Sequence, residues 1–503
     1  MSESLVLDVQ KSLKETRWVF PKAAQDDVTR IAQTNDLPEF VARLLTLRGV
    51  AADDVKGFLH PTLREHFPDP FSLEGMKELA EDLSDAIIHE RPIGIFADFD
   101  VDGATSSSIL KRFFRYFGQE VPVYIPDRLC EGYGPSAEAL QALKDQGAEF
   151  VLIVDCGITA FDAVQAGRDM GLDIAVLDHH EPEDKLPNAT HVIDPKREDD
   201  NSGLDMLAAC GVAFMTCVAV NKVLREREYF DGERSEPNLK GWMDIVALGT
   251  VCDMVPMRGV NRLFVRTGFE QMAQMNNAGI KALCEVANIQ DAPTVQHAGW
   301  SLGPRINAGS RVHRSDLGSK LLSTDDLEEA RSIAWTLEDC NKERKAIQSS
   351  MMDSAIQKVT AEALDQYPII VVGDTDWHPG LSGLVAGRLK ERFGKPAVCV
   401  TYAENPDGVL EGRGSGRSVP GFSMADAFIK GRNKGLLVQG GGHAMAGGFT
   451  IVPDKLPEFR EFLYQNVKEQ LEAHDPTTEI LIDSIATIQG ARADWVKMVT
   501  QQV

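Results

Sequence analysis

The sequence of 503 residues lacks several features that would assign it to a familiar class of protein. Its eight cysteines are scattered and none forms a C-x-x-C pair, which argues against a structural zinc knuckle and against a disulfide framework. No apolar run approaches the about 20 residues that a membrane-spanning helix needs. No basic stretch followed by an apolar one stands at the N-terminus, so no signal peptide is expected. These absences predict a cytoplasmic protein that does not enter a membrane.

Positive charge is also scarce. The 52 lysine and arginine residues are outnumbered by 76 aspartate and glutamate residues, which gives a formal net charge of −24. Broad non-specific binding of duplex nucleic acid needs a basic surface, so this composition argues against it. Net charge is a sum over the whole chain, however, and it leaves out any cations that acidic ligands hold. A narrow channel for one strand is therefore still compatible with the composition.

The length predicts two or three domains rather than one. After residue 92, short apolar runs alternate with helical stretches, and these runs are Ile93–Ala97, Val121–Ile125, Phe150–Val154 and Asp173–Leu177. A repeated βα unit of this kind predicts an α/β fold with a parallel sheet and helices on its faces. A stretch without proline or glycine, from 324 to 366, predicts a long helix that joins this sheet to a second, smaller α/β region.

The predicted organisation has five parts. They are a helical lead-in at 1–88, a main α/β domain at 89–322, a connecting helix at 323–366, a smaller α/β domain at 367–455 and a short C-terminal segment at 456–503.

Three aspartates stand on alternate residues directly after the first predicted strand, at Asp98, Asp100 and Asp102. A calcium loop of the EF-hand type would need a glutamate at its twelfth position, which is Ile109 here. Carboxylates at this density repel one another and resist burial unless a cation neutralises them. The run therefore predicts a metal site.

Further acidic and imidazole groups follow other predicted segments. Asp155 comes after the third strand, where it could also be a helix N-cap. Asp178, His179 and His180 come after the fourth strand. Neighbouring side chains there point apart, so we expect one histidine to meet the metal and the other the substrate, with Asp178 orienting a ring N–H. Asp253 ends an apolar segment, with a helix cap as the alternative role.

The carboxyl ends of parallel strands share one edge of a sheet, so these groups are predicted to converge there. Histidine beside carboxylate favours a metal such as Mn²⁺, Fe²⁺ or Zn²⁺ over Ca²⁺.

Three other segments carry glycine together with arginine or histidine. Residues 303–311 read as a basic turn that includes Arg305 and Arg311, which could also be ordinary surface arginines. Residues 412–418 read as a phosphate-type loop in which glycines let backbone N–H groups approach an anion, although the P-loop G-K-[ST] is absent. Residues 440–448 include His443 and form either a tight packing turn or a substrate-contacting loop.

Eight motifs occur in one order along the chain, namely ADFDVDGATS, VDCGI, LDHHEP, GTVCDMVP, LGPRINAGSR, DWHPGLSGLVAGRL, GRGSGRS and GGGHAMAGG. From the lead-in to about residue 450, the sequence resembles the DHH phosphoesterase superfamily, and within it the RecJ-type single-strand 5′→3′ exonucleases. The resemblance implies a DHH catalytic domain, a long connecting helix and a DHH-associated domain that closes a cleft for one strand.

The resemblance also implies roles for individual residues. It implies a centre of two divalent metal ions, Mn²⁺ or Mg²⁺, with the ligands Asp100, Asp102, Asp155, His179 and Asp253. It implies catalytic roles for His180, Asp98 and Arg305. It implies contacts with the substrate for Arg128, Asn307, Arg311, His378, Ser415, Arg417 and His443.

The implied activity is hydrolysis of single-stranded DNA from its 5′ end, with release of nucleoside 5′-monophosphates, in DNA repair and recombination. Family members commonly continue into an OB fold, for which the residues after 455 are too few. Grip on the strand is then expected from a partner such as a single-strand binding protein, and a RecQ-type helicase is a second expected partner. The alternatives are a phosphodiesterase for short oligoribonucleotides or cyclic dinucleotides, and a non-catalytic replication scaffold of the same fold.

Overall fold

The computed structural model describes residues 5–232, 234–404, 408–471, 479–489 and 492–502. The N-terminal part contains strand β1 (Arg17–Val19) and helices α1 (Gln25–Asn35), α2 (Glu39–Leu47), α3 (Val55–Leu59), α4 (Leu63–His66) and α5 (Met76–Ile88). Helices α1 to α3 enclose a small core of their own. Helix α5 instead buries Met76, Leu79 and Leu83 in the core of the next domain. The predicted lead-in is thus divided between two cores.

The main domain is built on five parallel strands, β2 (Ile93–Ala97), β3 (Val123–Tyr124), β4 (Phe150–Val154), β5 (Asp173–Leu177) and β6 (His191–Ile193). Their order across the sheet is β3-β2-β4-β5-β6. The three central strands are almost wholly buried, which explains their continuous apolar sequence. Helices α6 (Val101–Tyr116), α7 (Ala137–Asp145) and α8 (Phe161–Asp169) alternate with them. The predicted parallel sheet is confirmed.

Helices complete this domain. They are α9 (Ala209–Glu226), α10 (Met243–Cys252), α11 (Gly259–Met272), α12 (Ala278–Val286), α13 (Val295–His297), α14 (Gly303–Val312) and α15 (Leu317–Ser323). Residues 303–311 therefore lie in a helix, and our prediction of a basic turn there was wrong. Pro304 stands in the first turn of α14, directly after a π-helical turn at Ala298–Leu302, where the regular hydrogen bonding of an α-helix is already interrupted.

One long helix, α16 (Leu327–Ala361), joins two hydrophobic cores. Its 35 residues span about 50 Å at 1.5 Å per residue. Ala330, Ala334 and Leu337 pack into the core of the main domain. Met351 and Ala355 pack into a separate core with the second sheet. The helix is therefore anchored at both ends.

The second domain has a mixed sheet with the order β10-β11-β9-β8-β7. Its strands are β7 (Ile370–Asp374), β8 (Ala397–Glu404), β9 (Leu410–Arg417), β10 (Gln439–His443) and β11 (Ala446–Ile451), and its helices are α17 (Ser382–Phe393), α18 (Met424–Asn433) and α19 (Leu456–Leu471). Among the described strands of this sheet, β7 and β8 pair in parallel and the other neighbours pair antiparallel. Phe459 and Leu463 of α19 belong to this core, which thus extends beyond the predicted boundary at 455.

The two glycine-rich segments of this domain are strands rather than the loops we predicted. Residues 412–418 fall mostly in β9, and residues 440–448 form the hairpin of β10 and β11. Glycine is required at Gly414 because a Cβ there would lie 2.0 Å from Cζ of Phe449 on the neighbouring strand. The glycines of this segment therefore make room for close packing.

A last strand, β12 (Glu479–Leu481), pairs in parallel with β1, and helix α20 (Ala493–Gln502) follows it. The ring of Trp495 lies 5.1 Å from that of Phe40, measured between centroids. The C-terminal segment is thus docked on the N-terminal helices. Among the described helices, none combines the length and the apolar character that crossing a bilayer requires.

Candidate metal centre and phosphate-binding cavity

Three aspartates stand in a row along the carboxyl edge of the parallel sheet. The backbone N–H of Asp98 donates to Val154 O (3.3 Å), that of Asp155 to Leu177 O (3.1 Å) and that of Asp178 to Ile193 O (3.0 Å). Each aspartate thus continues the hydrogen-bond ladder by one step beyond its strand. This regularity is the reason that residues far apart in sequence reach one site, as the strand pattern predicted.

The start of α6 presents two more carboxylates. Asp100 caps the helix and accepts from the backbone N–H of Asp102 (2.8 Å). The carboxylate of Asp102 accepts from the N–H groups of Ala209 (2.6 Å) and Cys210 (3.0 Å), at the positive end of α9. A Cβ at Gly103 would lie 2.2 Å from the carbonyl oxygen of Asp98, so only glycine allows this tight turn.

The imidazole of His179 lies at the middle of the acidic groups. Its Nε2 is 3.4 Å from Asp155 Oδ1, 3.6 Å from Asp253 Oδ2 and 3.8 Å from Asp102 Oδ2. Three overlapping groups have ligand atoms within 4.8 Å of one another, and they are Asp98 with Asp100 and Asp155, Asp102 with His179 and Asp253, and Asp155 with His179 and His180. The structure therefore brings together all five predicted ligands, and Asp98 and His180 join them.

The electrostatics of this cluster fit bound cations. Burial raises the pKa of Asp98 to about 8 and that of Asp253 to about 8, and neighbouring carboxylates add to both shifts. Burial also raises the pKa of Asp102 to about 6 and that of Asp155 well above its usual range. These carboxylates can all be ionised only if positive charge enters the site.

Buried polar atoms without a hydrogen-bond partner also indicate that the site holds cations. Among the described residues, Asp98 Oδ1, His179 Nε2 and Asp253 Oδ2 are buried without a hydrogen-bond partner. Burial, helped by the charge of His180, lowers the pKa of His179 to about 4, so its ring is neutral and keeps a lone pair. Neutral imidazole and clustered carboxylate oxygens are a donor set for Mn²⁺ and related divalent ions. The residues present therefore fit a divalent metal centre.

Asp178 has a different role. Its Oδ2 accepts from the N–H of Ile158 (3.0 Å), and its Oδ1 accepts from the N–H of His179 (2.8 Å) and lies 2.7 Å from His180 Nδ1. Burial opposes a charged ring, but the hydrogen bond to Asp178 and the charges of Asp178, Asp253 and Asp102 together outweigh it and raise the pKa of His180 to about 9. Asp178 thus orients the second imidazole. The opposite ring nitrogen lies 3.5 Å from Tyr133 Oη, a residue that sequence reasoning missed.

A cluster of guanidinium groups lies between the acidic site and the second domain. Arg128 stacks on Phe99, with Cζ 4.4 Å from the ring centroid, and its charge interacts with those of Asp98 and Asp100. Burial lowers the pKa of Arg311 to about 9, and the charges of Arg128, Arg344 and Arg417 contribute. Like charges held this close favour an anion among them.

A cavity of about 110 Å³ adjoins this cluster and is formed by both domains. Arg128 and Leu129 line it from the main domain, and Ser382, Arg413 and Ser415 line it from the second. The hydroxyl of Ser382 lies 3.2 Å from that of Ser415, at the first turn of α17, whose N–H groups favour an anion. Arg413 and Ser382 were missed, although both lie within motifs that the sequence displays.

Three other residues predicted to contact the substrate do not line this cavity. His378 Nδ1 accepts from the N–H of Gly380 (3.1 Å), and Gly380 O accepts from Arg311 Nη1 (2.9 Å). His443 lies exposed at the end of β10. Asn307 Oδ1 is buried without a partner among the described residues.

Arg305, predicted to be catalytic, belongs to an ion pair with the long helix, and its catalytic role stays a prediction. Its Nε donates to Glu338 Oε2 of α16 (2.7 Å) and its Nη1 donates to Ser301 O (2.8 Å). Both side chains of the ion pair are largely buried. The guanidinium therefore links α14 to the long helix.

Comparison with known proteins agrees with this architecture. Residues 92–250 match the DHH family, N-terminal domain, and residues 365–469 match the DHHA1 domain. The chain is 35% identical to the single-stranded-DNA-specific exonuclease RecJ of Escherichia coli (strain K12), over 89% of this chain and 78% of the relative. It is 34% identical to the RecJ of Bacillus subtilis (strain 168), over 92% of this chain but only 57% of the relative.

The crystal structure of RecJ from Thermus thermophilus in complex with Mn²⁺ superposes with a TM-score of 0.80 at 24% identity, over 96% of this chain and 66% of that one. The chain spans less than two thirds of the length of this structure and of the B. subtilis relative, and more than two thirds of the E. coli protein. The chain therefore belongs to the RecJ family and carries a DHH domain followed by a DHHA1 domain.

Proposed function

We propose that this protein is a metal-dependent exonuclease that hydrolyses single-stranded DNA from the 5′ end and releases nucleoside 5′-monophosphates. The relatives are named single-stranded-DNA-specific exonucleases. The observation that carries the proposal is the adjacency of two sites, the acidic cluster around His179 and the cationic cavity lined by Arg128 and Ser415. One suits bond cleavage and the other suits a phosphate held beside it.

The proposed cofactors are two divalent ions, Mn²⁺ or Mg²⁺, as named for the Thermus thermophilus complexes. Asp100, Asp102, Asp155, His179 and Asp253 would hold them, with Asp98 in support. When bound, such ions activate water and offset negative charge on a phosphodiester.

The protein's own residues supply orientation and charge. Asp178 fixes the ring of His180 and its carboxylate favours the protonated ring, which can donate a hydrogen bond from Nε2 to a phosphoryl oxygen. Arg128, Arg311 and Arg417 balance negative charge on the side facing the second domain.

The small cavity explains why cleavage would begin at an end. A terminal 5′-phosphate would lie among Arg128, Ser415 and the N-terminal turn of α17, which the second domain closes. The scissile bond would then be one nucleotide away, at the acidic cluster. A duplex end would have to separate before one strand could enter. A cytoplasmic location and partnership with a single-strand binding protein or a RecQ-type helicase stay predictions from the sequence.

The test uses single strands with a 3′ fluorophore, with or without a 5′-phosphate, incubated with Mn²⁺. The parent protein should release mononucleotides from the 5′ end, and Asp155→Ala should lose at least about 100-fold in kcat because a shared ligand is gone. Asp162→Ala, an exposed aspartate at the start of α8, is the matched control. Parent-like activity of Asp155→Ala, or turnover limited to dinucleotides or RNA, would contradict the proposal.

A further inference from the structure

A second groove lies away from the metal centre, between the long helix α16 and helix α17. Its volume is about 630 Å³, several times that of the cavity at Ser415. Positions 344 to 353 of α16 form one wall, and positions 388 to 392 of α17 form the other. The groove is large enough for an extended ligand rather than for a single ion.

The groove is cationic in a chain that is strongly acidic overall. Four basic side chains line it, Arg344, Lys345, Arg388 and Arg392, against the two acidic ones Asp353 and Glu391. Glu391 is already paired with Arg388 (3.0 Å), and both side chains are exposed. An excess of two positive charges is therefore left facing solvent within one concave surface, which concentrates anions.

Arg344 supplies a second, independent observation. Its two terminal nitrogens donate to Gln348 Oε1 (2.8 Å) and Asn341 Oδ1 (2.8 Å), which fix the guanidinium plane. Its Nε is buried and has no hydrogen-bond partner among the described residues. An oriented guanidinium that keeps unused N–H groups is suited to a phosphate or carboxylate oxygen.

The arginines of the groove interact electrostatically with the guanidinium cluster of the cleft. The charge of Arg388 acts on Arg344, the charge of Arg344 acts on Arg311, and the charges of Arg128 and Arg417 act on Arg311 as well. Positive groups therefore lie within electrostatic range of one another from Arg128 and Arg311 in the cleft to Arg344 and Arg388 in the groove. A chain of cations is suited to the repeated phosphates of a strand.

We propose that the groove between α16 and α17 binds the sugar-phosphate backbone of the substrate strand, downstream of the nucleotide that is being removed. The proposal rests on the proposed function and extends it, because it assigns a backbone-binding track outside the catalytic cleft. The track would hold long strands between successive cleavages and would leave the hydrolysis of short substrates unaffected.

The test is the triple variant Lys345→Gln, Arg388→Gln, Arg392→Gln, which changes exposed side chains and leaves Arg344 in place. The matched control is Lys77→Gln, Arg30→Gln, Arg225→Gln, since these side chains are about 60% exposed and paired with acids, as Arg388 is. Binding of a long 5′-phosphorylated strand is measured by fluorescence anisotropy in EDTA at several salt concentrations. Hydrolysis of a 5′-phosphorylated dinucleotide in Mn²⁺ is measured separately.

The groove variant should bind the long strand about 10-fold more weakly than the parent and the control. The slope of log affinity against log salt should become shallower by about 2, since each lost phosphate contact on a single strand removes about 0.7. Dinucleotide hydrolysis should be unchanged.

Equal strand binding by parent and groove variant would overturn the proposal. So would a groove variant that keeps strand affinity and loses only affinity for a polyglutamate probe, since the groove would then serve an acidic peptide. Release of mononucleotides from the 5′ end of single strands by the parent protein decides the proposed function independently, because that measurement leaves the groove unchanged.

Discussion

Nδ1 of His180 lies 2.7 Å from Oδ1 of Asp178, while Nε2 of the adjacent His179 faces three other carboxylates. Two consecutive histidines thus serve opposite purposes. Burial lowers the pKa of His179, which faces the acidic cluster, whereas the hydrogen bond to Asp178 raises the pKa of His180. The first predictions concern this division.

Asp178→Asn should lower kcat for 5′-phosphorylated single strands by about 10- to 100-fold, because the amide can no longer orient and charge His180. The affinity for Mn²⁺ should change little, since Asp178 is directed at His180 and backbone N–H groups rather than at the other carboxylates. Steady-state kinetics and Mn²⁺ titration check both points. A loss of Mn²⁺ affinity with an unchanged kcat would show that Asp178 is a ligand.

Metal removal should reverse the stability order of the parent and Asp253→Asn. In EDTA the variant should have the higher Tm, because one of the mutually repelling buried carboxylates becomes neutral. In Mn²⁺ the free energy of unfolding of the parent should rise by about 2.7 kcal/mol at an ion concentration of 100 Kd, and that of the variant should rise by less. Thermal scans of both proteins under both conditions test this crossing. Parallel shifts in the two proteins would contradict a metal site at Asp253.

Arg128→Gln and Ser415→Ala should each weaken the preference for a 5′-phosphate over a 5′-hydroxyl. The loss of a charge-assisted hydrogen bond at Arg128 should lower kcat/KM on the phosphorylated strand by about 10- to 100-fold, with a smaller effect at Ser415. Activity on the 5′-hydroxyl strand should stay the same. Arg258→Gln, a surface arginine paired with Asp205, is the control. An equal loss on both strands would assign these residues to another role.

Asp244 of α10 provides a pH-dependent prediction. Burial raises its pKa to about 7 in the folded protein. Because the pKa of Asp244 is higher in the folded protein than in the unfolded chain, protonation of Asp244 stabilises the fold. This stabilisation is complete below about pH 4 and is lost as the pH rises through about 7. Asp244→Asn imitates the protonated acid, so its free energy of unfolding relative to the parent should increase across that window, by at most about 1.4 kcal/mol per pH unit. Urea unfolding at pH 5 and pH 8 measures this difference, and a constant difference would refute it.

Gly103→Ala should destabilise the protein by about 1–3 kcal/mol, because the added methyl group would collide with the backbone carbonyl of Asp98 and displace the start of α6. Activity should fall with it, since that turn carries Asp100 and Asp102. Gly241→Ala is the matched control, because the nearest atom to its Cβ would be 3.7 Å away. Urea unfolding and Mn²⁺-dependent hydrolysis of both variants test the prediction.

The position of the metal centre could be predicted from the sequence because the residues around it follow a simple rule. Asp98, Asp155 and Asp178 end buried apolar strands, and parallel strands bring their carboxyl ends to one edge. The cavity residues Ser382 and Arg413 could not be found in this way, since they reach the site through contact between two domains. The error at residues 412–418 has a physical cause as well. Glycine is depleted in strands, whereas here the ring of Phe449 occupies the space that a side chain at Gly414 would need.

The pairing of β1 with β12 brings a late segment of the sequence back to an early one. The N-terminal helices beside this pair contact α11, where Arg262 and Arg266 donate to the carbonyl groups of Phe58 and Leu59. Removal of β12 would therefore leave one edge of β1 without its backbone hydrogen-bond partners, and such an edge is open to pairing with another chain.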